Sequence, residues 1–281
     1  MATAFTSIVG FLYKHRGAVE SPPVSMRHPV RTSLALFRSR AYTLGILIAM
    51  GSWGFHVGAL ALAPISLVQS VIAGGLVLLT VTADRLFAHR VTRREWIGVG
   101  LAALGLAFLA ATLEGGADEA HSSYDAPTLA LWVGALSAAA FGVAATARVS
   151  PARGGVLFGV SAGLFWAASD TSIKALSDKL GDESALAILT HPLALVIALA
   201  SFAGLVVSAR SLQIGKAVPV IAVTSVAANV FTIAAGPIVF EEPLPDDTAA
   251  LTVRLLAFAL VISAAALTPA PVHAAESEEF A

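Results

Sequence analysis

Asp170 and Lys174 stand four residues apart in a stretch that otherwise holds only apolar and hydroxyl side chains, GVLFGVSAGLFWAASDTSIKALS over 155–177. An ionisable group within a membrane-length apolar run is costly and marks a candidate for binding or transfer of charge. Asp170 is read as a carboxylate that binds a cation or a proton and is released from Lys174 during a working cycle. The bland alternative is a self-neutralising pair one helical turn apart, with the Lys174 stem snorkelling toward the surface. Ser169, Thr171 and Ser172 add hydroxyls beside it. His56, three residues after Trp53, is a second candidate, either relaying protons or bonding between packed helices. Asn229 and Ser225, one turn apart, offer an amide and a hydroxyl to a substrate, or hold helices together. Gln69 and Ser70 fall in the first turns of another apolar run, either where helix N–H groups favour an anion or as ordinary helix contacts. Trp53 and Trp166 sit at similar-looking places in two runs, as packing residues or as a gate and stacking platform. His191-Pro192 reads as a kink. Glu241 and Glu242, after the helix-breaking pair Gly236-Pro237, read as solvated groups at a mouth, with recruitment of cations as the alternative.

The elements that must position these groups follow from composition. Of 281 residues, 57% are hydrophobic and only 12% are charged, about half the charge of a soluble domain. Apolar runs of about twenty residues suffice to cross a bilayer. They occur at 41–63, 65–83, 96–113, 127–147, 154–176, 185–209, 217–240 and 249–267. A further run at 2–13 is short for a span, which predicts that the upstream part of that helix lies outside this sequence. His28–Arg40 reads as a short amphipathic helix at the membrane surface. The predicted fold is all-α: a polytopic membrane bundle of about nine transmembrane helices. The chain has no cysteine, which excludes disulfides, thiolate nucleophiles and cysteine metal sites.

Charge sorts the loops into two classes. Lys14, Arg16, Arg27, Arg31, Arg38 and Arg40 precede the second run. Arg85, Arg90, Arg93 and Arg94 follow the third, Arg148 and Arg153 the fifth, Arg210 and Lys216 the seventh. Against these stand Glu20, Asp84 and Glu95, and the intervening loops carry Glu114, Asp118, Glu119 and Asp125; then Asp178, Asp182 and Glu183 with Lys179; then Glu241, Glu242, Asp246 and Asp247. Basic loops mark the cytoplasmic side. The expectation is a multi-pass cell (inner) membrane protein with its N-terminus outside and the tail 269–281 in the cytoplasm.

Two tight tips interrupt the apolar sequence. One is Ala63-Pro64-Ile65-Ser66, where a proline at the start of a helix gives up no hydrogen bond. The other is SLQIGKAVP, 211–219. Nine alternating spans put these tips on opposite sides. The chain therefore divides into an N-terminal repeat, 1–147, and an inverted C-terminal repeat, 154–268, a layout recurrent in secondary transporters with the site near the midplane.

The stretch LALAPISLVQSVIAGG, 60–75, resembles the API-x-LVQ hairpin of the NIPA-like branch of the drug/metabolite transporter superfamily. SLQIGKAVPV and AANVFTIAAGPIVFEE, with Gln213, Lys216, Pro219, Asn229, Gly236 and Glu241, are similar to that branch's second-half signature. The resemblance covers roughly residues 11 to 267. It implies a helical transporter of inverted repeats that exports small metabolites, and in the NIPA branch an association with magnesium. Magnesium would then be substrate rather than cofactor, with Asp170 as the metal-facing carboxylate, since Mg²⁺ takes oxygen ligands and keeps much of its water.

The leading expectation is a secondary transporter working by alternating access, with Asp170, Lys174, His56, Asn229, Ser225, Gln69 and Trp166 as the candidate binding residues. Its partners are the lipid bilayer and a small-molecule or cation substrate, with no nucleic acid and no cofactor. The rival of another class is a non-transporting scaffold or accessory subunit, in which Asp170, His56 and Asn229 would face separate helix contacts. No phosphate-binding glycine loop, His-Glu-x-x-His or serine elbow occurs, and no enzymatic activity is expected.

Overall fold

The computed structural model describes residues 13–14, 17–18, 20–22, 34–72, 93–112, 121–150, 153–180, 182–215 and 217–267. Among them the regular structure is helical: α1 (Arg40–Leu62), α2 (65–72), α3 (Arg93–Thr112), α4 (Ala126–Val149), α5 (Gly154–Ser177), the short α6 (Ala185–Thr190), α7 (Pro192–Ile214), α8 (Ala217–Val239) and α9 (Thr248–Leu267). Side chains set the boundaries. Ser39 accepts a hydrogen bond from the Tyr42 amide at the start of α1, and Asp125 from the Thr128 amide at the start of α4. Such caps satisfy N–H groups that the helix itself leaves unpaired. At Asp125 these bonds hold the carboxyl below its usual range. Among the described residues, α1, α4, α5 and α7 are long and apolar enough to cross a membrane.

Five of the expected spans map onto α1, α4, α5, α8 and α9 within two residues at each end. Three expectations change. The run at 185–209 is two helices, because His191 is extended and caps both: its amide closes α6 and its Nδ1 accepts from the Leu193 amide to open α7 at Pro192. The helix-breaking pair Gly236-Pro237 does not break α8, which runs on to Val239; Pro237 lies inside the last turn. The surface helix expected over 28–40 is interrupted by a turn at 37–38 before Ser39, with 28–33 outside the described residues. The run expected at 2–13, the 73–83 part of the span expected at 65–83 and the tail 269–281 also lie largely or wholly outside them.

The bundle is built around α5, of whose apolar window 72% is buried, against 17% for α1. It packs against α1, α4, α7 and α8. Its sequence explains how. Gly155, Gly159 and Gly163 form a smooth stripe on which α8 and the end of α7 rest: a methyl group on Gly163 would lie 2.5 Å from the Thr224 carbonyl oxygen. Without a hydrophobic driving force between helices in lipid, such close backbone approach supplies the packing. The polar side chains of α5 are thereby shielded. Ser161 donates to the Ala140 carbonyl on α4, and Ser169 and Ser201 bond across to α7 at 2.8 Å. A separate pair, α3 with α9, packs through Gly105 against Val261 and the Ala257 backbone.

Both tips of the chain's hairpins touch α5, at opposite ends. The α7–α8 tip packs Gly215 onto Gly155, and Ser211 donates to the Gly155 carbonyl at 2.7 Å. The α1–α2 tip meets Lys174. At 1.5 Å per residue these places are about 28 Å apart along the helix, close to the thickness of a bilayer's hydrocarbon core.

Candidate functional site

Asp170 is held by both arms of the first hairpin. Its Oδ2 accepts from Gln69 Nε2 on α2 at 2.9 Å, and its Oδ1 lies 3.3 Å from His56 Nε2 on α1. The hairpin geometry brings this about. His56 stands on the arm entering the tip and Gln69 on the arm leaving it, so one carboxylate on the facing helix reaches both. Gln69 is 5% exposed, and the side chains of His56 and Asp170 only 12% and 19%. The carboxylate therefore sits in a largely dry setting, served by one neutral amide donor and one imidazole. The imidazole is a partner whose charge depends on its proton. The arrangement can trade a proton between His56 and an arriving group, or exchange protonated His56 for another cation at Asp170.

Lys174 belongs to a different contact. Its Nζ donates to the carbonyl oxygens of Leu60 at 2.7 Å and Ala63 at 2.9 Å. These are acceptors that the end of α1 leaves unused, where a cation is also favoured by the helix dipole. The side chain is fully buried. The expected neutralisation by Asp170 one turn away is thus replaced: Asp170 turns to the arms of the hairpin and Lys174 to its tip. The hydroxyls expected around Asp170 are also spent elsewhere. Thr171 and Ser172 bond back to the carbonyls of Ala167 and Ala168, and Ser169 goes to Ser201. Hydroxyls within helices commonly bond back to the preceding turn.

Asn229 and Ser225 form their own pair on α8 at 3.2 Å, with Asn229 buried. The register of α5 on α8, with Gly159 beside Val220, Val223 and Thr224 and Gly163 beside Thr224, Ala227 and Ala228, shows the two helices running the same way. It puts Asn229 about 6 Å below Asp170 along the axis. The expected convergence therefore joins His56, Gln69 and Asp170, while Asn229 lies about one turn deeper and Ser225 about two. Trp166 and Trp53 do meet at one place. They line an apolar cavity of about 700 Å³ between α1, α5 and α7, with Ile173 and Ser201 also on its wall. Ser70, the neighbour of Gln69, bonds to the Ser66 carbonyl.

Glu242 corrects the sequence reading most. Expected to be solvated, it is 6% exposed. Glu241 before it adopts a left-handed conformation, φ 52°, and stays outside, while Glu242 turns inward onto Gly236, where any side chain would collide with its carboxylate. Its Oε1 accepts from the Ser66 amide at 3.3 Å, at the first turn of α2. Burial pushes the Glu242 carboxyl above its ordinary range, and the Ser66 and Ile65 amides and Lys174 pull against that. Arg254 was missed altogether. Buried on α9, it donates to the carbonyl of Thr112 at the end of α3, to Thr112 Oγ1 and to the Pro243 carbonyl. An arginine within an apolar run was signal enough. For Glu242 the signal was weaker: a small residue, Gly236, six positions before an acid.

Among the described residues no three histidine, aspartate or glutamate side chains group as a metal cage. The acidic loop from Glu114 to Asp125 falls mostly outside them, including Glu114, Asp118 and Glu119.

The long apolar helices and the shielded polar interior of α5 are those of a multi-pass helical membrane protein. The chain is similar to a protein of Arabidopsis thaliana described as probable magnesium transporter NIPA9, at 24% identity over 278 residues, covering 93% of this chain and 77% of that one. No family model matches the chain, and no solved structure matches it.

Proposed function

We propose that the protein is a secondary transporter of a small solute, and that Asp170 is the residue at which a proton or cation is exchanged, with His56 and Gln69 as its partners. The observation that carries this reading is the carboxylate of α5 shared by the two arms of one hairpin. A purely structural acid would be cheaper as an apolar residue, since a buried pair seldom gains over well-packed hydrophobic side chains. The two hairpins, meeting opposite ends of α5, are read as the matching parts of two inverted repeats, 1–147 and 154–268, which rock about that helix. Exchange follows from charge. With His56 protonated the Asp170 site is neutral; a cation that reaches Asp170 competes for the same oxygens and releases the proton.

A second reading, transport of Mg²⁺, is favoured by the name of the Arabidopsis relative. Asp170 and the side-chain oxygen of Gln69 would then be direct or water-mediated ligands. The test is flux in proteoliposomes, wild type against Asp170→Asn, with Mg²⁺ beside a panel of amino acids and organic cations. Mg²⁺ flux lost in the variant assigns Asp170 to the metal. Proton-coupled flux of an organic solute, lost in the variant, assigns it to coupling. Flux that Asp170→Asn leaves unchanged overturns both.

A further inference from the structure

The tip of the first hairpin is gripped at both of its helix ends by opposite charges from elsewhere in the chain. Lys174 of α5 takes the carbonyls of Leu60 and Ala63 at the end of α1. Glu242, from the turn after α8, takes the amide of Ser66 at the start of α2. Each sign matches the helix end it meets. The grip sits one turn from Asp170 along α5, and the arms it fixes are the ones that deliver His56 and Gln69. We infer that Lys174 and Glu242 are positioning residues that close the Asp170 site on the side of the 63–66 tip, and that loss of the Glu242 charge releases the tip and opens it. The inference rests on Asp170 being the working site, but its test reads access to the tip and needs no substrate.

Several features make Glu242 the movable half. Its Oε2 is buried without a hydrogen-bond partner among the described residues, whereas Oε1 accepts from the Ser66 amide at 3.3 Å, the long end of the range. A carboxylate in that position is easily given up once protonated. Its carboxyl already lies above the ordinary range through burial. The charged groups that face it are Lys174 and, through the carbonyl of the adjoining Pro243, Arg254; Asp178 shares the field at Lys174, and Glu241 beside it is exposed. Because the folded carboxyl is raised, the charged, closed form prevails above that raised value and is lost as pH falls through it.

The chain's lack of cysteine makes the test clean. Ser70→Cys puts a thiol at a fully buried position one turn below the tip, and Ala249→Cys an exposed reference. Labelling by a membrane-impermeant maleimide is measured on the full-length protein in proteoliposomes from pH 5 to 8, as the ratio of the two rates, which cancels thiol ionisation. The expected ratio rises about tenfold on acidification. With Glu242→Gln added it is high and flat with pH. With Lys174→Glu and Glu242→Lys combined it is also high, because the swap keeps the pair's attraction but sets both groups against the wrong helix ends. A ratio that stays flat in the otherwise unaltered Ser70→Cys protein overturns the inference. So does a swap that restores closure, which would show a simple ion pair instead.

Discussion

The two hairpins of this protein turn in opposite settings. Among the described residues, the α7–α8 tip is held by close backbone contact and neutral hydrogen bonds: Gly215 lies on Gly155, Ser211 donates to the Gly155 carbonyl, and Gln213 donates to the carbonyls of Ala18 and Pro22. The α1–α2 tip is held by charge, through Lys174 and Glu242, and its arms carry the imidazole and amide that meet Asp170. Among the described residues, no contact of the α7–α8 tip has a state that a proton can change. A tip fixed by two ionisable groups does. The comparison teaches that both hairpins turn against α5, while the ionisable contacts found among the described residues gather at one of the two tips.

That contrast can be broken from either side. The largest effect is expected at the charged hairpin: Asp170→Asn should lower flux by about a hundredfold or more, as loss of a group that acts in the transport step would, while Ser211→Ala leaves the rate within about twofold. Equal losses would erase the distinction between the tips. Next is the packed tip. Gly155→Ala drives a methyl into the Gly215 backbone, which has nowhere to move, and should destabilise by about 1–3 kcal/mol, read as a lower melting temperature in detergent. Lys174→Met leaves the Leu60 and Ala63 carbonyls buried without their donor and should cost about 1–3 kcal/mol. It should also speed labelling at Ser70→Cys, which Gly155→Ala should not do. Smallest is the stability cost of Ser211→Ala, about 1 kcal/mol for one hydrogen bond.

The sequence made the helices legible because membrane spans announce themselves by length and lack of charge. The break at His191 was readable as a kink but not as two caps, since that depends on the imidazole turning to the Leu193 amide. Of the site, Asp170, His56 and Gln69 were each visible as polar groups in apolar runs, and the hairpin tip between the last two was marked by Pro64. That one carboxylate serves both arms was not visible, because contacts over more than a hundred residues depend on how α5 docks in the hairpin. Lys174 was misread for a related reason: four-residue spacing suggests a pair with Asp170, yet two unused carbonyls of another helix are better acceptors in a dry interior. Glu242 looked solvated because nothing in an acidic loop says which of two adjacent glutamates turns inward.

The central claim is that His56, Gln69 and Asp170 act as one site. A double-mutant cycle on initial transport rate tests it most directly, using the solute the wild-type protein carries and the variants His56→Ala, Asp170→Asn and the two combined. The account predicts strong coupling, with the double variant no slower than Asp170→Asn alone. Independent effects that multiply, as for sites with no shared partner, would contradict it.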